Sequence, residues 1–170
     1  GSRAAQFELY RLYSKAMYNI CYRMLNNQTE AEDLLQEAFC EAFRQISTFR
    51  FDSTIGAWLK RITINKCINH IKKRRVSIGY LDSYEKINLV EDDDPIDYDQ
   101  IQYTVEQIKQ AMHELPEGSR IVFSLYLLEG YDHSEITEIL GISESTSKTQ
   151  LMRAKQKIKE IIIRSNKCVI

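Results

Sequence analysis

With 170 residues, 44% of them hydrophobic, and a formal net charge of −1, the chain has the make-up of an ordinary globular protein of one or two small domains. No run approaches the ~18 apolar residues a membrane span requires and no N-terminal apolar stretch resembles a signal peptide, so a cytoplasmic location without direct membrane insertion is expected. His70, His113 and His133 are widely spaced and no ligand cluster, phosphate loop or nucleophile motif accompanies them, so the expectation is no metal, no cofactor and no enzyme activity. Cys21, Cys40, Cys67 and Cys168 lack CxxC spacing and lie in or beside apolar helical patterns, which predicts buried free thiols.

Alternating β-type patterns of useful length are missing, and the predicted fold is all-α: two small helical domains, at 3–76 and 101–170, joined by an acidic flexible linker at 77–100. The N-terminal domain reads as helices at roughly 5–25, 30–47 and 55–74, broken at Asn26-Asn27-Gln28 and at Phe51-Asp52-Ser53-Thr54. In the second helix Thr29 and Glu32 have capping-box spacing. Leu35, Ala38, Phe39, Ala42, Phe43 and Ile46 make its buried stripe and leave Asp33, Gln36, Glu37, Cys40 and Arg44 exposed, a face that solvation alone would explain.

The third helix divides differently. Ala57, Ile64, Cys67, Ile68 and Ile71 suffice for packing, whereas Trp58, Arg61, Asn65, Asn69 and Lys72 share the other side. No acidic residue occurs between Asp52 and Asp82, yet seven cations do. Core packing does not ask for two asparagines, both poor helix formers, one turn apart on a basic face. Nucleotide contacts would explain them: amides bond base edges, cations follow the backbone, and rings such as Trp58 and Phe49 stack on unpaired bases for ~1–3 kcal/mol each. The bland alternative puts Trp58 partly in the core and leaves the amides solvated.

From Asp82 to Asp99 the sign inverts, with eight acids against Lys86 and with Pro95 breaking any helix, which reads as the linker. The C-terminal domain adds helices at roughly 101–114, 117–129, 133–140 and 144–164, with Pro116 where a first turn tolerates it. Asp132 and Glu135 form a capping box, Gly141 permits a left-handed turn and Ser143 caps the last helix, so 132–149 reads as a helix-turn-helix. On the last helix Ser147, Leu151, Ala154, Ile158, Ile161 and Ile162 face inward, while Ser145, Thr149, Met152, Arg153 and Gln156 point outward. From Glu144 onward seven Lys or Arg oppose two acids, which suits phosphate neutralisation while the polar N-terminal residues reach base edges.

Three segments in this order resemble the extracytoplasmic-function (group IV) sigma factors, promoter-recognition subunits of bacterial RNA polymerase: Ala31-Glu32-Asp33-Leu34-Leu35-Gln36-Glu37-Ala38-Phe39; Phe49 through Asn69 with Trp58-Leu59-Lys60-Arg61-Ile62 and Asn65; and Leu115-Pro116 through Lys159. The resemblance implies that Asp33, Gln36 and Glu37 dock on core RNA polymerase. It implies that the Phe49–Gly56 loop, with Asn65 beside it, captures a base flipped from the minus-ten element of promoter DNA. It also implies that Lys148, Thr149, Met152 and Arg153 read the minus-thirty-five element, that the linker threads the polymerase cleft, and that an anti-sigma protein is a partner. Two positions depart from the family pattern: Gln150 stands where a basic residue is often found, and Ser147 where an aliphatic one is common. Two other readings stay open at this stage, a stand-alone helix-turn-helix transcription regulator and a module that sequesters another protein through amphipathic helices.

Overall fold

The computed structural model describes residues 2–78 and 105–167, among which no strand occurs. The predicted linker lies outside the described residues except for its first two, which finish a helix.

Helix α1 spans Arg3–Leu25 and buries Met17, Ile20, Cys21 and Met24, the three-to-four spacing of an amphipathic stripe. It ends where Asn26 adopts a left-handed φ of 55° and its N–H bonds to the Tyr22 carbonyl at 2.8 Å. Helix α2 spans Gln28–Gln45. Its cap is Asn27, whose Oδ1 accepts the Glu30 N–H at 3.1 Å, so the Thr29/Glu32 capping box does not form. Asparagine is the stronger cap, and once it starts the helix Thr29 falls inside the first turn. Glu32 instead accepts a hydrogen bond from Gln28 Nε2 at 2.9 Å.

The α2 stripe is buried from Ala31 through Ala42, but Ile46 is exposed because the α-helix has already tightened into a 3-10 turn over Ile46–Thr48. The opposite face, Asp33, Gln36, Glu37, Cys40 and Arg44, is exposed as expected. Cys40 is therefore not among the buried thiols; Cys21 and Cys67 are, with their sulfurs 3.6 Å apart, and Cys168 lies outside the described residues. The bond to Cys21 and burial together push the Cys67 thiol well up, which leaves it protonated.

Helix α3 spans Ile55–Ile78 and is capped by Thr54, whose hydroxyl accepts the Ala57 N–H at 3.2 Å. Ile64, Cys67, Ile68 and Ile71 are buried as predicted, joined by Leu59 and Thr63. Thr63 can be there because its hydroxyl donates to the Leu59 carbonyl at 2.9 Å. Ala57 is exposed, contrary to expectation: it sits in the first turn, ahead of the part of α3 that reaches the core.

The second lobe comprises α4 (Val105–His113), α5 (Glu117–Phe123), α6 (His133–Leu140) and α7 (Glu144–Lys167). The single helix expected at 117–129 is instead α5 continued by a π-helical stretch, Ser124–Leu128. Both halves of the Asp132/Glu135 capping box form, at 2.8 Å each, and Gly141 takes a φ of 70°. Ser143 Oγ accepts the Thr146 N–H at 3.1 Å. All six residues predicted to face inward from α7 are buried.

The lobes pack directly against each other, α1 against α5 and α3 against α6. Arg120, buried in the second lobe, donates to the carbonyls of Leu115 at 3.0 Å and Met24 of the first lobe at 3.4 Å. Arg23 pairs with Glu129 at 2.6 Å, Arg74 with Glu117, and Asn26 Nδ2 donates to the His113 carbonyl at 3.0 Å.

Candidate nucleic-acid interface

The first surface is the outer side of α3. Arg61, Asn65, Asn69 and Lys72 are exposed along it, and Trp58 is half-buried at its start. The first turn of α3 lies tight on α1, since a Cβ on Gly56 would come within 2.9 Å of the Tyr13 ring. That fixes where the indole points. Trp58 stands 5.3 Å from Phe49, which stands 4.8 Å from Phe51. Phe51 is 84% exposed and has a φ of 60°, a left-handed conformation that costs a residue with a Cβ on the order of 1 kcal/mol or more. Replacing Phe51 with glycine should therefore leave the protein about 1 kcal/mol more stable than replacing it with alanine, as read from urea unfolding midpoints. Equal midpoints would mean that the loop relaxes once the ring is gone.

Lys60, whose side chain did not fall on either predicted face, adds a third cation near Trp58. Its Nζ donates to the Glu129 carbonyl at 3.0 Å, sits 3.7 Å from the Glu129 carboxylate and lies 5.7 Å from the centre of the Tyr131 ring. Trp58, Lys60 and Arg61 thus form one wall of an interlobe cavity of about 340 Å³, with Glu129, Tyr131 and Glu135 opposite. Burial, then Glu129 and Glu135, pushes the Tyr131 phenol up, so it stays protonated. At the other end of α3, Lys72 Nζ donates to the Ile139 carbonyl at 3.4 Å.

The second surface is the N-terminal half of α7. Ser145, Lys148 and Met152 are exposed, and Thr149 and Arg153 are partly so. Lys148 pairs with Glu144 one turn earlier at 2.7 Å and holds that carboxyl below the usual carboxylate range. The structure also accounts for the two departures noted in the sequence. The Ser147 hydroxyl is fully buried and bonds to His133 Nδ1 at 2.9 Å, with the imidazole stacked 4.5 Å from Tyr126, so a small polar residue replaces an apolar one without an unpaired group. Gln150 accepts from Ser119 Oγ at 2.6 Å, which ties it to its own lobe.

A third, separate face on α2 carries Asp33, Gln36 and Glu37, all exposed. Glu37 approaches Lys66 of α3 at 3.7 Å. Among the described residues no group of three or more His, Cys, Asp or Glu is arranged to hold a metal ion, and no helix is long and apolar enough to cross a membrane.

Comparison with known proteins places both lobes. Residues 9–76 match Sigma-70 region 2 and residues 105–158 match Sigma-70, region 4. The chain is 31% identical over 172 residues to the ECF RNA polymerase sigma factor SigW of Bacillus subtilis, an alignment covering 94% of this chain and 90% of SigW. It is 29% identical over 154 residues to the ECF RNA polymerase sigma factor SigM of the same organism, covering 91% and 93%. Among solved structures it shares the fold of the sigma factor RpoE in the co-crystal with the anti-sigma factor NepR from Bartonella quintana, with a TM-score of 0.58, 22% identity, and 91% and 94% of the two chains covered.

Proposed function

The chain belongs to the extracytoplasmic-function RNA polymerase sigma factors, which direct core polymerase to specific promoters, and from that premise we propose how its surfaces divide the work. The lobe of α1–α3 holds core enzyme through Asp33, Gln36 and Glu37 on α2. It opens the minus-ten element with Phe49, Trp58, Arg61, Asn65, Asn69 and Lys72. The lobe of α4–α7 reads the minus-thirty-five element through Ser145, Lys148, Thr149, Met152 and Arg153. The observation that carries this reading is the pair of cationic, amide- and hydroxyl-bearing faces, one on each lobe, each backed by a complete hydrophobic stripe. Extruding a base from the stack costs only a few kcal/mol, within what stacking on the Phe49–Trp58 pair can return.

The chain contributes no bond-making chemistry; polymerase supplies it, in the cytoplasm. An anti-sigma protein is the partner that would cover the docking faces, as NepR is bound to RpoE in the related co-crystal. Residues 3–76 and 101–170 act as the two functional units, with 77–100 connecting them.

The test is capture of core polymerase followed by transcription from duplex and premelted templates. A sigma factor programs core enzyme, whereas a stand-alone helix-turn-helix regulator binds DNA without doing so. Arg153→Ala should weaken promoter binding and reduce the salt slope, the change of log K with log salt, by roughly one unit if Arg153 meets a phosphate. An unchanged slope with unchanged transcription would remove it from the interface.

A further inference from the structure

The boxes a sigma factor grips lie about two helical turns apart, roughly 70 Å. Here Lys72 of the minus-ten face touches the helix-turn-helix itself, through the Ile139 carbonyl at 3.4 Å. The lobes must therefore part before both can engage one promoter, and the 26 residues 79–104 could reach roughly 85 Å if extended.

The contact that holds them together has a particular chemistry. Glu129 ends the π-helical stretch and is one of the more deeply buried carboxylates of the second lobe, with a side chain only 6% exposed. It takes two cations of the first lobe: Arg23 Nη2 at 2.6 Å and Lys60 Nζ at 3.7 Å. Its own carbonyl accepts a hydrogen bond from Lys60. Gly130, with a φ of 79°, then turns the chain so that the Tyr131 ring comes under the same ammonium, and the Tyr131 N–H is anchored on the Leu125 carbonyl at 3.0 Å. Lys60 and Arg61 thus face anionic and carbonyl oxygens and an aromatic ring, the groups that a nucleic-acid backbone and a base would present.

We propose that the Glu129–Tyr131 turn is an autoinhibitory latch: in the protein free of polymerase it occupies Lys60 and closes off Trp58 and Arg61, excluding DNA from the start of the minus-ten face. The latch rests on the reading that this face meets promoter DNA. It competes for the same cations, so affinity for DNA is lowered by the fraction of molecules that are open.

Trp58, the only tryptophan, lies in the wall of the latched cavity and reports on it directly. In the full-length chain, Glu129→Gln should raise acrylamide quenching of Trp58, increase the radius of gyration in small-angle scattering, and tighten binding of a fluorescent single-stranded oligonucleotide about tenfold. Circular dichroism should show the same helix content. Holoenzyme made with the variant should transcribe as wild type does, because the lobes are already apart there. A charge exchange provides the second arm: Glu129→Arg should open the protein, and Arg23→Glu added to it should restore quenching and radius toward wild type. Unaltered quenching and radius in Glu129→Gln, or opening without tighter oligonucleotide binding, overturns the latch. Failure of the sigma reading shows separately, as a wild-type chain that does not program core enzyme.

Discussion

Trp58→Ala should reduce transcription from a duplex promoter by roughly tenfold to a hundredfold, and from a premelted template by much less. The first figure follows from the ~1–3 kcal/mol that an aromatic ring contributes by stacking on an unpaired base, at about 1.4 kcal/mol per factor of ten. On a premelted template the unstacking cost has been removed beforehand, so the same loss has less to act on. Geometry favours this role for Trp58, whose indole continues the row begun by Phe51 and Phe49 and borders open space in the cavity. Because the ring also packs on the core, a thermal unfolding measurement must accompany the assay. Equal losses on the two templates would assign Trp58 to folding and leave strand capture to other residues.

Arg120→Ala should destabilise the protein by about 3 kcal/mol, and Arg120→Met by much less. The guanidinium is 6% exposed and its two donated bonds end on carbonyls of different lobes, Leu115 and Met24. Burial pulls its pKa down, with Glu117 opposing the shift, yet arginine stays charged, so the protein carries a desolvated cation in its interior. Alanine would leave both carbonyls without that donor and open a cavity; methionine would fill the volume and remove the charge that burial penalises. Equilibrium unfolding in urea measures both. Near-wild-type stability of the alanine variant would mean that water takes over the carbonyls at no cost.

Much of the promoter-reading lobe was legible in advance because its signals are local. The Asp132/Glu135 box, the Gly141 turn, the Ser143 cap and the six-residue stripe of α7 each depend on residues within a few turns, and each is present in the structure. The start of α2 was misjudged because two caps compete within three residues and Asn27 precedes Thr29. Ala57 was misplaced because periodicity assigns a face, whereas depth depends on whether a partner element extends that far; the first turn of α3 does not reach the core.

The π-helical stretch leaves no mark in a pattern built on 3.6 residues per turn. The outer face of α3 was recognised for its amides and cations, but Lys60 was not, because its partners Glu129 and Tyr131 lie about 70 residues away in the chain. The relation of the two lobes belongs to the same class: it is made by long-range pairs that no periodicity contains.

The stretch Ser124–Leu128 also bears on how such a protein could be retuned. A π turn carries one residue more than the α turn it replaces, so loss of a single residue there would restore regular geometry and swing whatever follows by about 100° around the axis. A three-nucleotide deletion in the coding sequence would thus redirect the side chain at the end of this segment in one step. Both the hydrophobic interior and the groove-reading residues of α7 would be left in place, which makes chain length at this point a mutational dial separate from promoter choice.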